Sequence, residues 1–182
     1  MAFCQVSITT FMATIFKNHI EKSKSMKSFL SIKSIYQDED LMELLIEASN
    51  GKYSGETRIY IESDCVKLIE LGKKLMGFPK EIREQYIFEL GFTEKDKQIR
   101  PHVKFDNAYI RIVFGCIDQA GHTSAQITIR EGSRIPRELA RGEAYFDLLF
   151  EPNQVDVFSN ELINFGLGKN NTAVLNGLDY SG

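Results

Sequence analysis

Between Ala108 and Glu131 the chain changes face at every residue, and few folds can accommodate that pattern. Ile110, Ile112, Phe114 and Cys116 fall on one side of a strand, with Tyr109, Arg111 and Val113 on the other. After a turn spanning 118–123, the return strand repeats the split, with Ala125, Ile127 and Ile129 against Gln126, Thr128 and Arg130. A period of two on both arms predicts a hairpin with one dry and one wet face, which requires an antiparallel sheet with a core on one side only.

The flanking sequence extends that sheet. Residues 39–49 fit both a helical stripe through Leu41, Leu44, Leu45 and Ala48 and an alternation through Met42, Leu44, Ile46 and Ala48. The turn signals Asn50-Gly51 and Ser54-Gly55, followed by the alternating run Glu56 to Glu62, favour a hairpin. A helix is predicted next. Ser63 or Asp64 is its N-cap, Leu68, Leu71 and Leu75 form its apolar stripe, and Gly77 and Pro79 end it. Gln85 to Leu90 reads as a strand, Phe92 to Asn107 and Gly132 to Gly142 as polar connections, and Glu143 to Phe150 as the last strand. Pro152 opens a second helix with the stripe Val155, Phe158, Leu162 and Phe165. The fold class expected is α+β, an antiparallel sheet of about six strands with two helices packed on it. Two passages, Glu56 to Met76 and Glu143 to Phe165, are loosely alike as strand followed by helix, but not closely enough to count as an internal repeat.

A chain of 182 residues is enough for one core that buries roughly 70% of the unfolded surface. The expected organisation is a loosely ordered extension over 1–25, a single domain over 26–168 and a flexible tail over 169–182. Neither sign of charge forms a run, and the net charge of −3 leaves no footprint for nucleic acid or an anionic membrane. The apolar stretch near the N-terminus has neither the flanks of a signal peptide nor the length of a membrane span. Cys4, Cys65 and Cys116 are too scattered for a disulfide framework or a zinc site, so the expected compartment is a reducing cytoplasm, with no metal and no cofactor.

Two constellations bear on function. Outward strand positions collect Arg58, Tyr60, Tyr109, Arg111, Arg130 and Tyr145 beside Glu62 and Asp147, a mixture found at protein contact surfaces and equally on solvated sheet faces. His122 lies four residues after Asp118, where a carboxylate can orient an imidazole, and Arg134 and Arg137 follow. Together these four would form a small anionic-ligand site in an enzyme or sensor. Turn chemistry alone also explains Asp and His in such a loop. Glu143, Asp147 and Glu151 read as a solvated edge, and Cys65 as a small residue in a helical first turn.

Several motifs occur in a fixed order: Ser49-Asn50-Gly51-Lys52-Tyr53-Ser54-Gly55, Gly77-Phe78-Pro79, Cys116-Ile117-Asp118 with Gly121-His122, and Ile127-Thr128-Ile129-Arg130. In this order and spacing, over roughly Asp40 to Phe165, the chain resembles a family of short, poorly characterised bacterial α+β proteins, some of which neutralise toxins as immunity proteins. The resemblance implies a binding role without a catalytic site and supplies no residues for it. The expectation is a non-enzymatic protein-binding module whose partner is another protein, a toxin where the resemblance to immunity proteins holds. Mild acidity would steer a basic partner toward it.

Overall fold

The computed structural model describes residues 27–93, 108–119, 121–131 and 142–179. These described residues form eight strands, β1 (Ser28–Gln37), β2 (Leu41–Asn50), β3 (Ser54–Glu62), β4 (Gln85–Gly91), β5 (Tyr109–Cys116), β6 (Thr123–Arg130), β7 (Glu143–Phe150) and β8 (Thr172–Asn176). The helices among them are α1 (Val66–Leu75) and α2 (Pro152–Gly166). All pairings are antiparallel, in two four-stranded sheets. Sheet A has the order β3-β2-β1-β8 and sheet B the order β4-β5-β6-β7.

The class is α+β, as the sequence predicts, but the single six-stranded sheet is replaced by two sheets. The break falls at α1, which separates β3 from β4. Alternation fixes which face of a strand is dry but not which strand lies beside it. The tail expected from 169 onward is also corrected: Thr172–Asn176 pairs with β1, burying Ala173 against Ile32 and Leu175 against Leu30. The extension over 1–25 lies outside the described residues, as do 94–107 and 132–141 in the two polar connections. Among the described residues no helix is long and apolar enough to cross a membrane.

Read in spatial order, the molecule consists of two similar halves. One is the row β8-β1-β2-β3 followed by α1, and the other is β4-β5-β6-β7 followed by α2. The likeness of the β3–α1 and β7–α2 passages in the sequence belongs to this arrangement. Only the provenance of the first strand differs, since β8 comes from the far end of the domain. The junction is tied by the Ser28 amide, which donates to Asp179 Oδ1 at 3.1 Å, and by the Gly177 amide, which donates to the Ser28 carbonyl at 2.8 Å.

The inner faces of both sheets and the apolar stripes of both helices form one core. In sheet B, Phe88, Ile112, Ile127 and Phe146 form one row across the four strands, while Tyr86, Phe114, Ala125 and Leu148 form the next. Small Ala125 beside Phe114 leaves room for Phe78 and Phe150, which meet that ring edge-on at 6.4 and 6.3 Å. Where β3 crosses sheet B the backbones come close. A Cβ at Gly55 would stand 3.2 Å from that of Ala144, and Thr57 Oγ1 donates to the Arg130 carbonyl at 2.8 Å.

The two helices cross at Gly72, where a side chain would meet the Ser159 carbonyl at 2.7 Å. The α1 start differs from the expected Ser63 or Asp64 cap. Cys65 occupies the N-cap with φ 54°, and the Asp64 carboxylate accepts the Val66 amide at 3.2 Å. The outer edge of β8 is covered by α2, whose Glu161 Oε2 accepts the Val174 amide at 2.6 Å. A free strand edge is thereby closed by one carboxylate.

Candidate functional site

The outer face of sheet B carries four of the six outward residues named from the sequence, joined in a lattice. Register places Tyr109 beside Arg130 and Arg130 beside Glu143 in one row, with Glu89, Arg111, Thr128 and Tyr145 in the next. The Tyr109 hydroxyl donates to Glu89 Oε1 at 2.6 Å, and the same oxygen faces Arg111 Nε at 3.5 Å. Arg130 pairs with Glu143 at 3.5 Å and lies over the Tyr109 ring, 5.1 Å from its centroid.

Tyr109 is therefore buried, at 5% exposure, although its strand position points outward. This corrects its reading as a wet residue: a guanidinium roofs the ring and a carboxylate binds the hydroxyl. Burial, and then the Glu89 hydrogen bond, raise its hydroxyl pKa well above the ordinary tyrosine value. The Arg130 side chain is 12% exposed, Arg111 is about one-third exposed, and Tyr145 stands open at the end of its row. Glu89 escaped the sequence reading because only the β4–β5 register shows that it faces Arg111.

Arg58 and Tyr60 lie elsewhere, on the outer face of sheet A, where both are exposed. Along that face Tyr36, Glu43 and Tyr60 form one row across β1, β2 and β3. A bulge between Ser34 and Tyr36 makes this possible, since the extra residue returns Tyr36 to the outer side. Its hydroxyl donates to Asp38 Oδ2 at 3.1 Å, and that bond raises the Tyr36 pKa. The Asp38 carboxylate also accepts the Leu41 and Asp40 amides, which hold its pKa below the ordinary range.

Asp118 and His122 meet as expected. His122 Nδ1 lies 2.5 Å from Asp118 Oδ2, and the His122 amide donates to Asp118 Oδ1 at 3.2 Å. The hydrogen bond and charge of Asp118 raise the imidazole pKa. Both side chains are open to solvent on a hairpin tip, so the pair closes its own turn. Arg134 and Arg137, named with them, lie outside the described residues. Glu143 is engaged by Arg130 rather than by another carboxylate, and burial pushes the Cys65 thiol upward, away from thiolate chemistry. Among the described residues no group of three or more His, Cys, Asp or Glu is placed to hold a metal ion.

One cleft, of about 450 Å³, opens between the β3 edge and the end of β4. It is lined by Ile59, Tyr60, Glu62, Cys65, Leu90 and Gly91 among others. The β4–β5 and β6–β7 connections spring from the same end of sheet B, closed at their bases by Phe92 amide to Ala108 carbonyl at 2.8 Å and Glu131 amide to Gly142 carbonyl at 3.0 Å. No family model, curated protein or solved structure matches this chain.

Proposed function

We propose that this chain is a non-enzymatic, cytoplasmic protein-binding module of bacterial origin, of the immunity or antitoxin type, that neutralises a toxin partner by covering its active surface. The observation carrying the reading is the pair of broad sheet faces that present Tyr60 and Tyr145 as open rings beside arginines and carboxylates. Open aromatic side chains on a rigid sheet offer large contact area at little entropic cost, the composition that anchors protein interfaces. The resemblance carried by the Ser49–Gly55 turn, the hairpin tip at 116–122 and β6 supports the same reading. These are turn and core residues, so they speak for a scaffold more than for a site.

The other reading, an enzyme or sensor taking a small anionic ligand at Asp118, His122, Arg134 and Arg137, has less support. Its two described members are exposed to solvent, and water weakens any charge they offer. Affinity capture from the source bacterium with mass spectrometry separates the two. The expected result is one stoichiometric protein partner retained by His122→Ala and lost with Tyr60→Ala or Tyr145→Ala, each variant folded by circular dichroism. Loss with His122→Ala alone would sink the binding-module reading.

A further inference from the structure

The outer edges of the two sheets are not treated alike. On β8 the Val174 amide donates to Glu161 Oε2, and the Thr172 carbonyl accepts Asn170 Nδ2 at 3.0 Å. On β7 the carbonyls of Asp147 and Leu149 accept Asn50 Nδ2 at 3.1 Å and the Leu178 amide at 2.7 Å. The β3 edge carries Glu56, Arg58 and Glu62, charges of the kind that discourage the addition of another strand. The β4 edge has none of these devices.

The bond from the Phe92 amide to the Ala108 carbonyl fixes the alternation along β4. In an antiparallel ladder it turns the main-chain groups of Tyr86, Phe88 and Leu90 toward β5, and those of Gln85, Ile87 and Glu89 away from it. Among the described residues no hydrogen bond reaches these outward groups. The strand has no bulge, proline or lysine, and its single charge, Glu89, is held on its own sheet by Tyr109 and Arg111. Ile87 stands at the middle of this edge with 51% exposure. A regular edge with an open aliphatic side chain at its centre is a template for one more strand.

We propose that the β4 edge pairs with the β4 edge of a second copy of this chain, antiparallel about a two-fold axis at Ile87, joining two copies of sheet B into one continuous sheet. The occupant follows from what the axis brings together. Ile87 meets Ile87 of the second copy, and Gln85 meets Glu89, so aliphatic faces aliphatic and an amide donor faces a carboxylate. Arg83, exposed just before the strand, falls diagonally across from the same Glu89 and brings it an opposite charge. Within its own chain Glu89 makes both contacts through Oε1, and its side chain is 40% exposed. Over 83–91 this register opposes no like charges. Three narrow pairs of residues supply about six main-chain hydrogen bonds across the axis. The exposed Ile82 comes level with Phe92 of the second copy, at the cleft whose walls include Ile59 and Leu90.

The test is amide hydrogen exchange of the full chain, read residue by residue by NMR in reducing buffer from micromolar to millimolar protein, beside sedimentation velocity. The Ile87 and Glu89 amides should exchange at least tenfold more slowly at the high end, as the mass approaches twice 20.8 kDa. Those of Phe88 and Leu90 should stay protected throughout. Ile87→Lys sets a charge at the axis and is expected to weaken self-association at least tenfold with unchanged circular dichroism, because Ile87 is exposed in the single chain. Val157→Lys, at an exposed position on α2, should leave self-association intact. The exchange measurement needs no variant, so the outcome does not depend on whether Ile87→Lys folds.

A monomer at every concentration, a dimer that Ile87→Lys leaves intact, or a dimer in which the 87 and 89 amides exchange freely would each overturn the proposal. Protection of these amides only on adding a foreign strand-forming peptide would equally overturn it. The proposal stands apart from the toxin-binding reading, whose partner is tested at Tyr60 and Tyr145 on other strands.

Discussion

The two sheets alternate in the same way along the sequence, yet the tyrosines on their outer faces meet different surroundings. On sheet B the charges are bound to one another: Glu89 serves Tyr109 and Arg111, and Glu143 serves Arg130. On sheet A the stretch 33–62 keeps a surplus of carboxylates, with Tyr36 and Tyr60 open to solvent. Pointing outward therefore does not make a residue available. A lattice that satisfies its own charges stabilises the sheet it covers, whereas an unbalanced face gains most by meeting something outside.

The comparison breaks first if the two sheets do not share a core. Leu44→Ala on sheet A and Phe146→Ala on sheet B should each cost about 2 to 5 kcal/mol in urea denaturation, and each should lower a single common transition. A second transition in either variant would mean two independent layers. Next in size is the contrast between tyrosines. Tyr109→Ala should cost about 3 kcal/mol for a ring lost from a filled site, and Tyr109→Phe about 1 kcal/mol for the hydrogen bond to Glu89. Tyr60→Ala should stay within about 0.5 kcal/mol. Equal costs at 60 and 109 would erase the distinction between the faces.

The lattice also predicts an alkaline limit. Tyr109 has its folded-state pKa raised above the unfolded value, so its contribution is fully present below about pH 10 and is lost as pH rises through the folded pKa. Stability should decline above about pH 10, less steeply in Tyr109→Phe, as followed by circular dichroism against pH. The smallest effect belongs to the hairpin tip. His122 is likewise raised, so any contribution is present below about pH 6.5 and fades as pH rises through the folded value. In an NMR titration Asp118→Asn should return His122 toward an ordinary imidazole pKa with little change in stability.

Much of the fold was legible because each half-buried strand carries its own contrast. The dry residues Ile110, Ile112, Phe114, Ala125, Ile127, Ile129, Phe146 and Leu148 are those the alternation selected, and the stripes of both helices are buried as read. The strand β8 was not legible, since Thr-Ala-Val-Leu-Asn in an Asn- and Gly-rich stretch becomes a strand only through its pairing with β1. The division into two sheets is likewise a matter of which edges meet.

At the site, sequence named Arg111, Arg130, Tyr109 and Tyr145 but not the register that ties three of them to Glu89 and Glu143. Tyr36 was invisible because a bulge, rather than its place in the alternation, turns it outward.

The union of β8 with β1 has a consequence for synthesis. The ends that it brings together, Ser28 and Asp179, are 151 positions apart, and β8 is translated after every other element of the domain. Sheet B and both helices can assemble on the ribosome while β1 still waits with an open edge, the condition in which nascent chains add to one another. The last strand to emerge therefore both completes the sheet and ends that exposure, so a released chain truncated just before residue 172 would keep the rest of the fold with the β1 edge uncovered.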